Sequence, residues 1–229
     1  MTAANGALLT SLAQKASPEH AALIVVDVQN DFVSDGGYFH QVGCDVSTIQ
    51  KSAIPPLLSL IDKAREAGVL VVFIQAIYDD QYLSAPMRER DLRTNREMPK
   101  CQSGTWGADF FAVRPQPGEP VVVKHRYSAV INTRLDALLK ERGVKSLLMT
   151  GVATDTCVEA TARDAYFIDY YVTLVQDCCG ALDEEDHRTA VKRFARDYGP
   201  VVNSSDLIAV WQQTSAKAHA AGVELLPET

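Results

Sequence analysis

Residues 21–27 read AALIVVD, and this short run decides the fold class. Six consecutive apolar residues, half of them β-branched, predict a strand buried on both faces, because a half-exposed strand would alternate apolar with polar residues. The run ends at a carboxylate, Asp27. Similar runs of strand length follow at residues 69–74, 120–123, 146–150 and 171–175, with a weak edge strand at 201–202.

Segments with helical spacing of apolar residues separate these strands. They predict helices at residues 46–67, 133–142, 156–168, 183–197 and 205–221. Strands that alternate with helices form a parallel sheet covered on both faces, because each crossover returns the chain to the same end of the sheet. We therefore predict a single doubly wound α/β domain over residues 1–229, in which residues 1–20 form an N-terminal arm.

The stretch of residues 78–118 shows little periodicity and contains four prolines. We expect a long irregular excursion from the sheet there. Loops of this length in compact domains are usually functional, so we expect it to supply part of the wall of any binding pocket. The sequence does not identify which of its residues do so.

Length, composition and charge exclude several classes of function. The chain has 229 residues, of which 47% are hydrophobic, so it can bury a sizeable core. A net charge of −7 without a basic run disfavours nucleic acid and anionic membranes as partners. The apolar runs fall far short of the roughly 20 residues of a membrane span, and residues 1–17 lack the pattern of a secretory signal. We expect a soluble cytoplasmic protein with a small-molecule substrate.

The cysteines and histidines give little support for a disulfide framework or a metal site. Five cysteines are an odd number and lack C-x-x-C spacing, which is typical of a reducing compartment. The five histidines are scattered without helical pairing. We expect Cys178 and Cys179 to pack in the core and assign no role to Cys44 or Cys101. The chain also lacks the glycine motifs of dinucleotide and triphosphate sites, so no cofactor is predicted.

Polar groups stand where the predicted strands end, and in a parallel sheet those ends share one edge, where ligands bind. They are Asp27, Gln75, Lys124 and the turn at residues 151–157. Each of these groups alone has a purely structural explanation, such as a helix cap or a solvated strand end. Together they indicate a site at this edge.

Residues 156–159 read TCVE, which fits the capping-box pattern. The pattern predicts Thr156 as the helix N-cap and Cys157 as the first helical residue. Unpaired N–H groups and the positive end of the helix dipole would lower the pKa of a thiol there, which makes Cys157 a candidate nucleophile. The alternative is a small buried apolar side chain, the common fate of a free cysteine.

Three segments closely resemble the signature segments of the isochorismatase-like cysteine hydrolases. They are VVDVQNDF at residues 25–32, Lys124 after a short strand, and GVATDTCV at residues 151–158. The resemblance covers about residues 21–205. It implies a six-stranded parallel sheet flanked by helices and assembly into a homo-oligomer, either a dimer or a tetramer.

The resemblance also implies a mechanism. Asp27 would exchange the proton, Lys124 would hold the charges in place, and Cys157 would be the nucleophile. A cis peptide between Val152 and Ala153 would aim the Ala153 N–H, with that of Cys157, at the developing oxyanion. The implied reaction is attack on a carbonyl, expulsion of ammonia or an amine, and hydrolysis of a thioester-type intermediate.

Within the family, the pattern is most similar to ureidoacrylate amidohydrolase, biuret hydrolase and N-carbamoylsarcosine amidohydrolase. Ala76 and Tyr78 stand where ureidoacrylate amidohydrolase has asparagine and tryptophan, so the substrate stays open. Nicotinamidases of the family place metal-binding histidines after the second strand, whereas residues 75–123 contain no histidine, so we predict no metal. Open alternatives are a nicotinamidase-like or maleamate-like hydrolase, a redox protein using Cys157, and a non-catalytic binding protein on the same fold.

Four residues are candidates for substrate binding, namely Gln75, Tyr78, Arg126 and Tyr127. The Arg126 guanidinium could hold a substrate carboxylate or ureido oxygen, since its fork of donors suits planar acceptors. The alternative for Arg126 and Tyr127 is a surface arginine beside a packing tyrosine.

Overall fold

The computed structural model describes residues 8–223, without the side chains of residues 215 and 217–223. Its six strands are β1 (Ala21–Val26), β2 (Leu70–Ala76), β3 (Val121–Lys124), β4 (Ser146–Val152), β5 (Tyr171–Gly180) and β6 (Val201–Val202). They form one parallel sheet in the order β3-β2-β1-β4-β5-β6. Residues 1–7 and 224–229, which belong to the predicted domain and in part to the predicted arm, lie outside the described residues.

Helices cover both faces of the sheet. They are α1 (Leu12–Lys15), α2 (Asn30–Val33), α3 (Tyr38–Gln41), α4 (Ser47–Ser52), α5 (Ile54–Glu66), α6 (Ala85–Arg93), α7 (Leu135–Glu141), α8 (Glu159–Phe167), α9 (Glu184–Asp197) and α10 (Ser204–Val223). Leu23 and Val25 of β1 pack in the core shared with α5 and α10, whereas Ile24 and Val26 pack in the core shared with α7, α8 and α9. The predicted doubly wound α/β class is confirmed.

β1 has the predicted bounds, and all six of its residues are buried. Its central position explains this burial, because β2 and β4 pair with it on both sides and helices cover its two faces. The other long strands extend beyond their predicted ends towards the site. β5 continues to Gly180, although Gln176 and Asp177 interrupt its apolar run.

The helix predicted at residues 46–67 is two helices, α4 and α5, separated at Ala53. Pro55 and Pro56 explain the break, since proline lacks the N–H and clashes with the preceding turn inside a helix but is tolerated in the first turn. Both prolines lie in the first turn of α5.

The expectation that residues 78–118 are irregular is wrong for α6, and short 3-10 turns lie at Asp80–Tyr82 and Trp106–Ala108. α6 is dominated by charged residues and buries little, so it carries no apolar periodicity for the sequence to display. The predicted N-terminal arm also contains a helix, α1, which Trp211 of α10 anchors by donating to the Ala16 carbonyl at 2.9 Å. Among residues 8–223, no helix combines the length and apolar character that a membrane crossing requires.

Candidate active site

Asp27 is the first residue after β1 and is fully buried. Its φ of 49° lies in the left-handed region, which aspartate tolerates better than most residues. The backbone at this point is tied on both sides: the Asp27 N–H donates to the Ile74 carbonyl at 3.1 Å, and the Asp27 carbonyl accepts from the Gln29 N–H at 2.8 Å. The end of β1 therefore holds a carboxylate inside the protein.

Lys124, the last residue of β3, is also fully buried. Its Nζ lies 2.7 Å from Asp27 Oδ2, 3.3 Å from Cys157 Sγ and 2.8 Å from the Arg126 carbonyl oxygen. Lys124 therefore donates hydrogen bonds to Cys157 Sγ and to the Arg126 carbonyl, and it forms an ion pair with Asp27. Lys124 thus joins the carboxylate and the thiol although β3 lies two strands away from β1.

Cys157 lies in a π-helical turn, Thr154–Val158, that leads into α8. The predicted capping box is wrong. The Thr156 hydroxyl donates to the Asp155 carboxylate, and the Glu159 carboxylate accepts from both Arg193 nitrogens, Nε at 2.8 Å and Nη2 at 2.9 Å. The helical chain begins before Thr156 because the wider π turn starts at Thr154. Cys157 still belongs to the first turn of the helical segment.

Burial outweighs the helix start in setting the charge of this thiol. Burial raises the pKa of Cys157 to about 12, against the opposing effect of the Lys124 ammonium. Burial likewise raises the pKa of the Asp27 carboxyl, although Lys124 lowers it. Burial alone would lower the pKa of Lys124, but the charge of Asp27 outweighs it and raises that pKa well above its ordinary value. The site therefore contains a neutral thiol, a basic carboxylate and a permanent cation.

The turn before Cys157 approaches β1 closely. Gly151 has a φ of 106°, and a Cβ at this position would lie 2.1 Å from the Val26 carbonyl oxygen. Only glycine fits this combination of backbone conformation and contact. The peptide bond between Val152 and Ala153, which follows in the same turn, is cis. The turn thus starts against the residue that precedes Asp27.

A pocket of about 400 Å³ opens beside Cys157. Val152, Ala153 and Cys157 belong to its lining, and so do Tyr78 and Tyr127. The remaining lining residues come from α2, α3, α6, α9 and the neighbouring loops: Phe32, Tyr38, Phe39, Cys44, Arg90, Arg96, Lys100, Asp155, Thr156, Leu182, Asp183 and Asp186.

The four residues expected to bind substrate divide into two pairs. Tyr78 and Tyr127 line the pocket, whereas Gln75 and Arg126 do not. The Gln75 amide donates to the Ala108 carbonyl at 2.9 Å. The Arg126 guanidinium donates to the carbonyl of Tyr82 at 2.8 Å, so it is occupied away from the pocket. Arg126 reaches the site only through its backbone carbonyl, which accepts from Lys124.

Sequence reasoning missed the supporting role of Gln29, which is fully buried behind Asp27. Its side-chain amide donates to the carbonyls of Ala76 and Ala108, and its oxygen accepts from the Ala76 N–H at 2.8 Å. Gln29 thereby joins the end of β2 to the excursion. The available signals were its position two residues after Asp27 and its place in the VVDVQNDF segment at residues 25–32. Sequence reasoning also missed the cations that line the pocket, which are Arg90 of α6, Arg96 and Lys100. No sequence pattern marked them as pocket residues.

Metal-ligating side chains do not cluster in the described part of the chain. No group of three or more histidine, cysteine, aspartate or glutamate residues there could hold a metal ion. His125 and Tyr82 stack 3.8 Å apart, and the imidazole Nδ1 lies 2.7 Å from the Ile77 carbonyl oxygen, so this histidine next to Lys124 is engaged outside the pocket.

Comparisons with known proteins agree on the family. A model of the isochorismatase domain matches residues 21–206. The chain is 39% identical over 174 residues to ureidoacrylate amidohydrolase RutB from Enterobacter sp. (strain 638), a match that covers 70% of this chain and 75% of that protein.

Solved structures give the same result. A cysteine hydrolase from Pseudomonas syringae pv. phaseolicola 1448A has a TM-score of 0.74 at 26% identity, covering 86% of this chain and 94% of its own. N-carbamoylsarcosine amidase from Thermoplasma acidophilum has a TM-score of 0.65 at 26% identity, and the match covers 81% of this chain and 96% of that one. The chain therefore belongs to the isochorismatase-domain family, and it is a hydrolase of the amidohydrolase type found in that family.

Proposed function

We propose that this protein is a cysteine amidohydrolase that cleaves a C–N bond of a small ureido, carbamoyl or amide compound. The observation that carries the proposal is the contact of Lys124 Nζ with both Asp27 and Cys157, of which Cys157 lines the pocket. A thiol, a buried carboxylate and a cation within one hydrogen-bonded group are the parts that nucleophilic acyl transfer requires.

In the first step, Cys157 Sγ attacks the substrate carbonyl carbon. The thiol is neutral at rest because burial raises its pKa to about 12, so its proton must leave as the S–C bond forms. Asp27, which contacts the same Lys124 Nζ as the thiol does, accepts that proton. Burial raises the pKa of this carboxyl and makes its carboxylate a stronger base than an exposed aspartate.

Lys124 stays protonated throughout. Its pKa lies well above the ordinary value, so it does not exchange protons at neutral pH. Its role is electrostatic: it holds Asp27 and Cys157 in contact and stabilises the thiolate character that develops on sulfur. A charge fixed before the reaction starts needs no reorganisation during it.

The developing oxyanion would accept hydrogen bonds from the N–H groups of Ala153 and Cys157. Both residues line the pocket: Ala153 directly precedes the π turn, and Cys157 lies within it. Each oxyanion donor is typically worth about 3–4 kcal/mol in the transition state.

The tetrahedral intermediate then breaks its C–N bond, and the leaving nitrogen takes the proton from Asp27 as ammonia or an amine departs. An acyl group remains on Cys157 Sγ. Water attacks this carbonyl and gives one proton to Asp27, the S–C bond breaks, and the sulfur recovers that proton as the thiol. The enzyme returns to its starting state, and one water molecule is consumed.

Two relatives support the choice of bond. One carries the name ureidoacrylate amidohydrolase and another the name N-carbamoylsarcosine amidase. Both names describe small compounds in which a carbonyl carbon is bonded to nitrogen. The same reaction class extends to simple amides, so these belong in the test.

The test measures ammonia release from a panel of biuret, N-carbamoylsarcosine, 3-ureidoacrylate, nicotinamide and aliphatic amides. Wild-type protein is compared with Cys157→Ala and with the control Cys178→Ala, a buried thiol outside the pocket. We expect release by the wild type and the control and none by Cys157→Ala. Equal release by all three proteins would refute the mechanism, and no release by the wild type from any compound would refute the proposed function.

A further inference from the structure

We propose that the substrate carries a carboxylate, which binds at the far end of the pocket to Arg96 and Tyr38 with support from Arg90 and Lys100. This inference rests on the proposed function, because it assigns the substrate class of the same pocket. We expected Arg126 to bind an anion, but its guanidinium is engaged elsewhere. The inference assigns that role to cations of the excursion, residues 78–118.

Two buried tyrosine hydroxyls mark the path through the pocket. Tyr38 and Tyr78 both line it, and each is only 3% exposed. Neither hydroxyl has a hydrogen-bond partner within the described part of the chain. Since buried hydroxyls in proteins are nearly always paired, these two groups are available to bind a ligand that enters the pocket.

The two tyrosines lie beside different cations. Lys124 Nζ lies 5.9 Å from the centre of the Tyr78 ring, which places Tyr78 beside the nucleophile. Lys100 Nζ lies 5.0 Å from the centre of the Tyr38 ring, which places Tyr38 beside the cations. A bound compound can therefore present its carbonyl to Cys157 and its opposite end to Tyr38.

The wall around Tyr38 carries excess positive charge. Arg90, Arg96 and Lys100 line it, and Asp91 is the carboxylate between them, 2.5 Å from Arg90 Nη2 and 3.4 Å from Lys100 Nζ. Arg96 forms no ion pair within the residues whose side chains are described. The exposed Arg96 guanidinium is therefore free to bind a bidentate carboxylate.

The pocket lining also contains three carboxylates, Asp155, Asp183 and Asp186. Asp183 caps α9 by accepting from two backbone N–H groups, and Asp155 accepts from the Thr156 hydroxyl. These carboxylates repel an anion and favour N–H donors. The pocket therefore suits a compound with an N–H-bearing carbonyl group at one end and a carboxylate at the other, that is, a ureido or carbamoyl acid.

Binding to Cys157→Ala, which cannot turn the compound over, tests this inference separately from catalysis. The probes are 3-ureidoacrylate and its methyl ester, which differ in the charge at one end, and affinity is measured by calorimetry. We expect the acid to bind roughly 10- to 100-fold more tightly than the ester, the range typical of one lost charge-assisted hydrogen bond.

Adding Arg96→Gln to Cys157→Ala should remove this preference by weakening acid binding while ester binding stays unchanged. The matched control is Arg93→Gln, an exposed arginine of α6 that is paired with Glu89 and lies outside the pocket lining. It should keep the preference.

Equal binding of acid and ester, absence of binding by both, or a preference that survives Arg96→Gln would overturn the inference. If the wild type hydrolyses the panel while acid and ester bind equally, the inference fails and the proposed function stands. If the preference depends on Arg96 but no compound is hydrolysed, the proposed function fails and the carboxylate site stands.

Discussion

Lys124 Nζ lies 2.7 Å from Asp27 Oδ2, and neither side chain has any exposed surface. Two charges removed from water in this way stabilise one another only while both are present. Lys124 is also bonded to Cys157 Sγ, so the pair and the thiol form one unit. Replacing any one of Asp27, Lys124 and Cys157 should therefore affect the other two.

Replacing Lys124 by methionine should lower the free energy of unfolding by about 3–5 kcal/mol, because Asp27 would remain buried without its counter-charge. The double variant Asp27→Asn/Lys124→Met should recover part of that loss, since neither charge remains. Urea unfolding of the two single variants and the double variant measures the coupling. Lys140→Met removes an exposed lysine and should stay within about 0.5 kcal/mol of wild type. Simple additivity of the two single changes would contradict the description of the pair.

Gly151→Ala should be far more harmful than Gly36→Ala. Both glycines have positive φ, but a Cβ on Gly151 would lie 2.1 Å from the Val26 carbonyl oxygen, whereas one on Gly36 would meet nothing within 4 Å. We expect Gly36→Ala to cost about 1–2 kcal/mol from backbone conformation alone. Gly151→Ala should cost more and should abolish ammonia release. Thermal unfolding and activity measured on both variants check this, and similar losses in the two would contradict it.

Gln29→Leu should destabilise the protein by about 2–4 kcal/mol. The substitution leaves the Ala76 N–H and carbonyl buried without the partners that Gln29 supplies, whereas the Ala108 carbonyl keeps its hydrogen bond from Gln75. Gln116→Leu, which changes an exposed glutamine, is the control. Urea unfolding gives both values, and a cost below about 0.5 kcal/mol for Gln29→Leu would show that these hydrogen bonds do not hold the excursion.

Stability should fall between pH 9 and pH 12 partly because of Cys157. Burial raises the pKa of this thiol from 9.0 to about 12, so in this window the folded protein holds a proton that the unfolded chain has released. The stabilisation is fully present below pH 9 and is lost as pH rises, with a slope of up to about 1.4 kcal/mol per pH unit. The other buried thiols act in the same direction.

Denaturant unfolding at pH 8 and pH 10 of wild type and Cys157→Ala isolates the contribution of this thiol. The variant should lose less stability over the interval, because it lacks the titrating group. An equal loss in both proteins would mean that the Cys157 thiol titrates alike in the folded and unfolded states.

Most of the sheet follows from short-range sequence features. β1 is continuous and apolar because it is central, and its bounds were predicted correctly. Asp27 and Lys124 stand at strand ends, and parallel strands bring such ends to one edge, so the sequence indicated their proximity. The sequence made Cys157 a candidate nucleophile because a capping box predicted a helix start that would lower its pKa. In the structure a π turn replaces the capping box, and burial raises the pKa of the thiol.

The far wall of the pocket could not be predicted, because it depends on how the excursion folds back over the sheet. α6 is held by charged contacts rather than by an apolar stripe, so nothing in its pattern indicated that Arg90 would reach the pocket. Arg126 follows Lys124 directly and was the natural candidate, but its guanidinium is taken by backbone carbonyls. The homo-oligomeric assembly and the cytoplasmic location stay predictions.

The central claim is that Cys157 forms a covalent bond with the substrate carbonyl carbon. Acid quenching of wild-type protein within its first turnovers, followed by peptide mass spectrometry, tests it most directly with the best substrate of the panel. We predict an acyl adduct on the peptide that contains Cys157, which disappears as the substrate is exhausted and never forms in Cys157→Ala. Turnover by Cys157→Ala at the wild-type rate, without an adduct in either protein, would contradict the claim.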